Sequence, residues 1–209
     1  DYGNLGKLLG KPLMGANFDL AEYTSQRSHS IYFDIFGFDM IKRVKDVINT
    51  MGSNYSVTPP IQDGLEYNGG TIRSYEPDKG GLRAHTGNEF AELFKDDGLK
   101  FLWEKTKIIN SMSYFVVIQP PEVGGELVLF DLLWEDTPES LKGFDSNQRE
   151  NTPFLRFDQE VTPVVPGELI IFAGGRIWHM VKEIDGINSR ITFGGFLAIT
   201  RDDQSIWFW

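Results

Sequence analysis

The sequence predicts a mainly β protein with flanking helices, whose strands form a sandwich or a barrel. From Thr71 onward, short β-type segments bounded by Gly and Pro recur about every ten residues, a spacing typical of such folds. Ahead of these segments, Ile41, Val44 and Ile48 recur at roughly helical spacing and predict a helix. The two patterns together indicate helices packed against a β core.

The elements of the β core follow from alternating hydrophobicity and from turn residues. Pro166-Gly167 and Asp185-Gly186 mark turns, and the polar residues 135–153 are predicted to form a loop. We therefore expect, in order, strands Thr71–Tyr75 and Leu82–Gly87, a helix over Phe90–Ile109, a strand pair of Ser113–Gln119 and Glu126–Leu133, a strand–turn–strand over Val161–Phe172, and strands Ile177–Ile184 and Arg190–Thr200.

Length, charge and composition exclude several classes of protein. The 209 residues suffice for a single domain, 1–209, which we divide into a helical flanking region at 1–70 and a β core at 71–209. A net charge of -10 without any Lys/Arg run argues against a nucleic-acid partner. The absence of Cys excludes disulfides, thiolate metal sites and cysteine nucleophiles. No apolar run approaches the roughly 20 residues that span a bilayer, so we expect a cytoplasmic protein without a membrane partner.

The chain has three histidines, His29, His85 and His179, and the surroundings of two of them indicate a metal site. His179 follows a Pro-Gly turn and a strand, and Arg190 lies on the next predicted strand. This order resembles the distal half of 2-oxoglutarate oxygenases. Neutral imidazoles suit iron(II), and arginine offers a planar fork to a carboxylate. We expect the return across Asp185-Gly186 to bring Arg190 close to the metal-binding end of a pocket.

The carboxylate expected in such a site is missing. Non-haem iron oxygenases commonly use two His and one carboxylate, the latter two residues after the first His, where both side chains would share one face of a strand. Here Gly87 occupies that position. Glu89 shares the predicted face but lies about 13 Å from His85 along a strand, so it would reach the metal only through a bulge.

Several stretches together resemble one family, the carrier-protein-independent iron halogenases of the hapalindole and welwitindolinone indole alkaloids. They cover most of residues 71–209, in the same order and at similar spacing. The stretches are Thr71–Arg73, His85–Phe90, Ser113–Phe115, Pro121–Val128, Gly174–Arg176, His179 and Arg190–Ala198.

The resemblance implies a double-stranded β-helix (jelly-roll, cupin-like) core and a reaction that replaces an unactivated aliphatic C–H bond with a carbon–halogen bond. The implied cofactors and cosubstrates are Fe(II), 2-oxoglutarate, O2 and chloride or bromide, with release of succinate and CO2. The implied substrate is a free-standing small molecule, such as an indole alkaloid, with no carrier protein. The implied roles are iron ligands for His85 and His179, the halide position for Gly87, cosubstrate binding for Arg190 and Arg73, a hydroxyl near the reacting centre for Ser113, and substrate contact for Leu82 and Phe90.

Departures from the family pattern leave other functions open. Residues 1–70 and 82–84 match poorly, so a hydroxylase of the same fold, acting on a small molecule or an N-substituted amino acid, is the alternative. A metal-free jelly-roll binding domain and a zinc lyase are further alternatives. Trp178 is expected to point away from the face that carries His179, and the terminal Trp207–Trp209 to be buried in the core rather than to close the pocket.

Overall fold

The computed structural model describes residues 7–9, 13, 18–25, 29–51, 54–93, 95–96, 98–142 and 151–209. Over these residues the protein is mostly β, with a seven-stranded and a four-stranded sheet. The predicted mainly β fold with flanking helices and a cupin-like core is therefore confirmed. The helices are α1 (Leu20–Ser25), α2 (His29–Phe36), α3 (Met40–Thr50), α4 (Gly87–Leu93) and α5 (Lys100–Lys105), with short 3-10 helices at Trp134–Asp136, Glu139–Leu141 and Thr152–Phe154.

The strands fall into two large sheets and two small two-stranded ribbons. The larger sheet has the order β1-β5-β14-β15-β2, with β7 pairing both β14 and β11, and the smaller has the order β10-β9-β12-β6. The strands are β1 (Lys7–Leu8), β2 (Ser56–Thr58), β3 (Ile61–Gln62), β4 (Leu65–Glu66), β5 (Thr71–Tyr75), β6 (Leu82–His85), β7 (Met112–Gln119), β8 (Val123–Gly124), β9 (Leu127–Leu133), β10 (Gln159–Thr162), β11 (Leu169–Phe172), β12 (Ile177–Val181), β13 (Ile184–Asp185), β14 (Arg190–Ile199) and β15 (Ser205–Phe208).

The predicted pairing of strands Ser113–Gln119 and Glu126–Leu133 is wrong. The first corresponds to β7 in the larger sheet and the second to β9 in the smaller one. The connection between them crosses from one sheet to the other and includes Gly124 and Gly125, whose φ angles of +77° and +75° favour glycine. Alternation of side chains marks each strand but does not say which sheet the strand joins.

The predicted strand Leu82–Gly87 and helix Phe90–Ile109 also differ from the structure. The strand ends at His85, and α4 begins at Gly87, so Gly87 is the first residue of a helix. The expected long helix is two short ones, α4 and α5. Gly98 lies between them and packs so tightly on the backbone of Leu13 that a β-carbon there would collide with it. Residues 143–150 of the predicted loop lie outside the described residues.

Helices α2 and α3 cover the outer face of the larger sheet. In α3, Ile41, Val44 and Ile48 are buried, as their spacing predicts, and the Asp39 carboxylate caps the helix by accepting a hydrogen bond from the Lys42 backbone N–H at 2.9 Å. These side chains form one core cluster with Tyr32, Val57, Tyr114, Phe193, Leu197 and Phe208.

A second core cluster lies on the outer face of the smaller sheet. Its burial determines which residues of β12 point outward and which point into the cavity. Trp178 is fully buried there, and its indole N–H donates to the Thr137 hydroxyl at 2.7 Å. The neighbouring His179 therefore points to the opposite face, toward the larger sheet, as predicted.

Candidate metal and cosubstrate site

His85 and His179 meet on the inner face of the smaller sheet. They are directly opposite each other in the β6–β12 pair, and their ring centroids are 4.2 Å apart. Directly opposed residues project from the same face of a sheet. The two imidazoles, which lie far apart in the chain, therefore border one small volume.

Both rings form a hydrogen bond to a backbone carbonyl through the same nitrogen, Nδ1. The His85 Nδ1 atom lies 2.7 Å from the Arg83 carbonyl oxygen, and the His179 Nδ1 atom lies 2.8 Å from the Ile177 carbonyl oxygen. A carbonyl oxygen only accepts, so each Nδ1 atom must carry the proton. In the neutral form of each ring the lone pair then resides on Nε2, which is the tautomer of a metal-binding histidine oriented by a backbone carbonyl.

Burial keeps His179 neutral. Burial lowers the pKa of His179 to about 4, although its hydrogen bond to the Ile177 carbonyl opposes the shift. Phenylalanine rings enclose the pair, since Phe90 stands edge-on to His85 at 5.5 Å and Phe172 edge-on to His179 at 4.8 Å. An apolar surround and neutral imidazoles are compatible with a divalent metal ion.

Gly87 is buried beside these histidines and packs against Gly174 and Gly175. Its N–H donates to the Gly174 carbonyl at 2.8 Å, and a β-carbon at this position would lie 3.1 Å from the Gly175 Cα atom. The close backbone packing therefore favours glycine at this position, in addition to any functional need for a position without a carboxylate.

The structure does not provide a third protein ligand from the residues it describes. Within the described ranges, no group of three or more His, Asp or Glu could hold one metal ion. Glu89 lies in the first turn of α4, is buried and does not border the cavity that contains His85. The alternative that Glu89 completes the metal site is therefore not supported.

The larger sheet faces the histidines with a ladder of inward-pointing residues on β5, β14 and β7. Arg190 lies opposite Tyr75, Thr192 opposite Arg73, and Gly194 opposite Thr71 and Phe115. Opposed residues and alternate residues along a strand share a face. The ladder continues to Phe196 and Ser113, so one end of the cavity is cationic and the other aromatic.

Arg190 is the strongest indication of an anionic ligand. Its side chain is 3% exposed, and its Nε atom has no hydrogen-bond partner among the described residues. Burial lowers the pKa of Arg190 to about 10, and the nearby charge of Arg73 adds to this shift. The guanidinium still carries its charge at neutral pH, and a buried charge without an anion is costly.

Two further polar groups at this end also lack partners. The Nε atom of Arg73 and the hydroxyl of Tyr75 are buried without hydrogen-bond partners among the described residues. Both border the same cavity as Arg190. Three unsatisfied donors on one face fit a carboxylate, so the residues present fit the distal carboxylate of a keto acid bound to the metal.

The other predicted site residues border the same cavity, whose volume is about 160 Å³. Ser113 lies against Gly174, which in turn binds the backbone of Gly87. Leu82 is buried with Tyr75, near the cationic end. A separate, larger cavity of about 460 Å³ is lined mostly by aliphatic side chains and contains none of the predicted site residues.

Sequence reasoning missed Tyr75 as a polar group of the cavity and Trp209 as part of its wall. Tyr75 ends a predicted strand, and only its register with Arg190 reveals its position. Trp209 was expected to be in the core, and it is buried, but it also borders the cavity. Its pairing with Phe196 depends on β15, a strand that the sequence did not predict.

The fold and this site define the class of the protein: it is an oxygenase-type enzyme that depends on iron(II) and 2-oxoglutarate. A family described as carrier-protein-independent halogenase WelO5 matches residues 1–209, and the chain belongs to this family.

A solved structure supports the fold. An N-substituted L-amino acid dioxygenase from Burkholderia ambifaria AMMD is similar over 93% of this chain and 78% of its own, with 18% identity and a TM-score of 0.54. A structure of such a dioxygenase from the same organism in complex with alpha-KG covers the same shares, with 19% identity and a TM-score of 0.48. No curated protein sequence matches the chain. Among the described residues, no helix is long and apolar enough to span a membrane.

Proposed function

We propose that the protein is a halogenase that replaces an aliphatic C–H bond of a free-standing small molecule with a C–Cl or C–Br bond. The observation that carries this proposal is Gly87, which is buried, borders the same cavity as His85 and His179, and stands at the sequence position where a third ligand would be expected. A metal ion held by two imidazoles keeps an extra coordination position, and a halide fits a position that the protein leaves without a carboxylate.

Different residues along the cavity would bind the metal and the cosubstrate. The Nε2 atoms of His85 and His179 would bind iron(II), while Arg190, assisted by Arg73 and Tyr75, would bind the far carboxylate of 2-oxoglutarate. Iron(II) with 2-oxoglutarate and O2 supplies the oxidising power that removes hydrogen from a C–H bond. The balanced reaction is R–H, chloride, a proton, 2-oxoglutarate and O2 giving R–Cl, succinate, CO2 and water.

The remaining side chains position the substrate and exclude water. Phe90 and Phe172 shield the two histidines from solvent, which preserves a dry site. Ser113 packs against Gly174, which is hydrogen-bonded to Gly87. The Ser113 hydroxyl would form a hydrogen bond near the halide. Leu82 and Phe90 would contact the substrate. The whole chain, 1–209, would act as one domain, because strands from before residue 71 complete the larger sheet.

The experiment is anaerobic reconstitution with iron(II) and 2-oxoglutarate, followed by the visible charge-transfer band with and without chloride. A band that shifts when chloride is added supports halide binding at the metal. A band indifferent to chloride would favour hydroxylation on the same fold, and no band would contradict the iron and 2-oxoglutarate assignment. A screen of small molecules, read out by product mass, would identify the substrate.

A further inference from the structure

The indole of Trp209 carries a hydrogen-bond donor that the described protein leaves unused. The residue is 4% exposed, and its Nε1 atom is buried without a hydrogen-bond partner among the described residues. An indole N–H can only donate. A buried donor without an acceptor calls for an explanation, and a bound ligand is one that can be tested.

The backbone fixes the direction of this side chain. Trp209 N–H donates to the Phe196 carbonyl at 3.1 Å, and Phe196 N–H donates to the Trp209 carbonyl at 2.8 Å. This reciprocal pair extends the β14–β15 register beyond Leu197 and Phe208. Trp209 therefore projects from the same face as Phe196 and Thr192, which is the face that borders the metal-site cavity.

Beside Gly87 lies a small side cavity of about 30 Å³. Leu13, Gly87, Phe90, Phe196 and Trp209 border both this space and the main cavity. Its volume is that of one water molecule or one monoatomic ion, and too small for an organic substrate. Its other lining residues are Ala91, Leu99, Ile108 and Ser111.

We propose that the Trp209 indole N–H donates a hydrogen bond to the chloride or bromide ion held beside Gly87. The inference rests on the proposed halogenase function and adds a positioning residue to it. The surroundings are mostly apolar, so an anion there has few other donors, and the indole edge supplies one without adding a charge. A hydrogen bond to an ion is stronger than one between neutral groups, which makes its loss measurable.

The test is a chloride titration of the anaerobic iron(II)–2-oxoglutarate protein, followed through the charge-transfer band, for the wild type, Trp209→Phe and Trp207→Phe. Phenylalanine keeps an aromatic ring but removes the N–H group. We expect the chloride dissociation constant to rise at least about tenfold in W209F, with 2-oxoglutarate affinity unchanged. Trp207 is the matched control, because it stacks on Phe101 at 5.8 Å and borders neither cavity.

A second measurement does not depend on iron, on turnover or on the folding of a variant. In the wild-type protein loaded with zinc(II) and 2-oxoglutarate, ¹⁵N-labelled tryptophan gives one indole signal for each of the five tryptophans. Exchange of chloride for bromide should move the signal of Trp209. The signal of Trp178 should stay in place, because its N–H already donates to Thr137.

The outcomes separate the two proposals. If chloride shifts the wild-type band and W209F binds chloride equally well, the role of Trp209 is overturned while the halogenase proposal stands. If the indole signal of Trp209 ignores the halide, the role is overturned as well. If chloride leaves the wild-type band unchanged, the proposed halogenase function fails, and the inference fails with it.

Discussion

At the scale of single residues, Arg190 shows a conflict between stability and binding. Its charge is buried, its Nε atom has no partner among the described residues, and the nearby guanidinium of Arg73 repels it. Such a group is costly in the ligand-free protein. The guanidinium lies over the Phe115 ring at 5.1 Å, which offsets part of this cost, and a bound anion would offset more. This combination is typical of a binding residue rather than of a structural one.

The first prediction follows from this conflict. Arg190→Met should raise the free energy of unfolding of the ligand-free protein by about 1 kcal/mol, because it removes a buried charge for which the described residues supply no ion pair. The same change should weaken 2-oxoglutarate binding at least about a hundredfold. Urea unfolding and ligand titration measure the two effects.

The matched control is Arg43→Met, because Arg43 is exposed on α3, beside Phe38 at 5.3 Å. It should change stability by no more than about 0.5 kcal/mol and leave 2-oxoglutarate binding intact. An R190M protein that is less stable than the wild type yet binds the keto acid normally would contradict the assignment of Arg190.

A second residue-scale prediction concerns the pH dependence of the metal-free protein. The pKa of His179 is about 4 in the folded chain, against about 6.5 when unfolded, because burial favours the neutral ring. The unfolded state therefore takes up a proton first as the pH falls. Stability should be lost between pH 6.5 and 4, at up to about 1.4 kcal/mol per pH unit, and this loss should end below the folded pKa.

Urea unfolding at several pH values, with a chelator present, measures this slope. His179→Gln, which has no titrating group at this position, should lose less stability over the same interval. Equal slopes for the wild type and H179Q would show that the neutral, buried state of His179 does not contribute to the pH dependence of stability.

Residue type together with spacing and the family resemblance predicted a site at His85, His179, Arg190 and Gly87, because each of these residues has a chemistry that few others share. Tyr75 and Trp209 could not be found in this way. Tyrosine and tryptophan are common in cores, and their unsatisfied polar atoms become evident only when the register with Arg190 and Phe196 is known.

At the scale of elements, the position of Gly87 depends on a contact between the start of α4 and the turn that contains Gly174 and Gly175. The N–H groups of Gly87 and Asn88 donate to the carbonyls of Gly174 and Gly175, at 2.8 and 3.0 Å. These bonds tie the start of α4 to the connection between β11 and β12. The metal-site geometry therefore depends on a turn that lies outside both histidine strands.

This contact gives a third prediction. In Gly175→Ala, the new β-carbon would meet the backbone of Ser111 and Asn110 at 2.5 to 2.8 Å, and backbone atoms cannot move away easily. We expect a loss of about 2 kcal/mol in unfolding free energy and weaker iron(II) binding, because the start of α4 must shift.

Gly167→Ala separates crowding from backbone strain. Gly167 has a φ of +81° and nothing near its missing β-carbon, so its replacement adds strain of about 1 kcal/mol without a collision. Iron binding should be unaffected in G167A. If G175A bound iron as well as the wild type, the glycine contact would not position the site.

Element prediction from sequence succeeded where the pattern is local and failed where the partner is distant. The spacing of Ile41, Val44 and Ile48 gave α3 because one helix face is buried against the sheet. The β7 and β9 strands were recognised as strands, but their assignment to different sheets depends on the fold as a whole. Arg190 was expected on the next strand, near the metal-binding end of a pocket. It borders the same cavity as His179, but it does so from the other sheet, because β12 and β14 lie in separate sheets.

At the scale of the whole molecule, the two sheets provide different parts of one cavity. The smaller sheet carries both histidines, and the larger carries Arg190 and Arg73 at one end and Ser113 and the aromatic wall at the other. Folding of the sandwich is therefore what assembles the site. The central claim is that a halide ion binds the metal beside Gly87, between these two ends.

X-ray absorption at the iron edge tests this claim most directly. The sample is the anaerobic iron(II)–2-oxoglutarate protein in bromide buffer, with Gly87→Asp as the comparison, since its carboxylate would occupy the halide position. The account predicts a heavy bromide scatterer bound to iron in the wild type and its loss in G87D. A wild-type spectrum that shows only nitrogen and oxygen neighbours would contradict it.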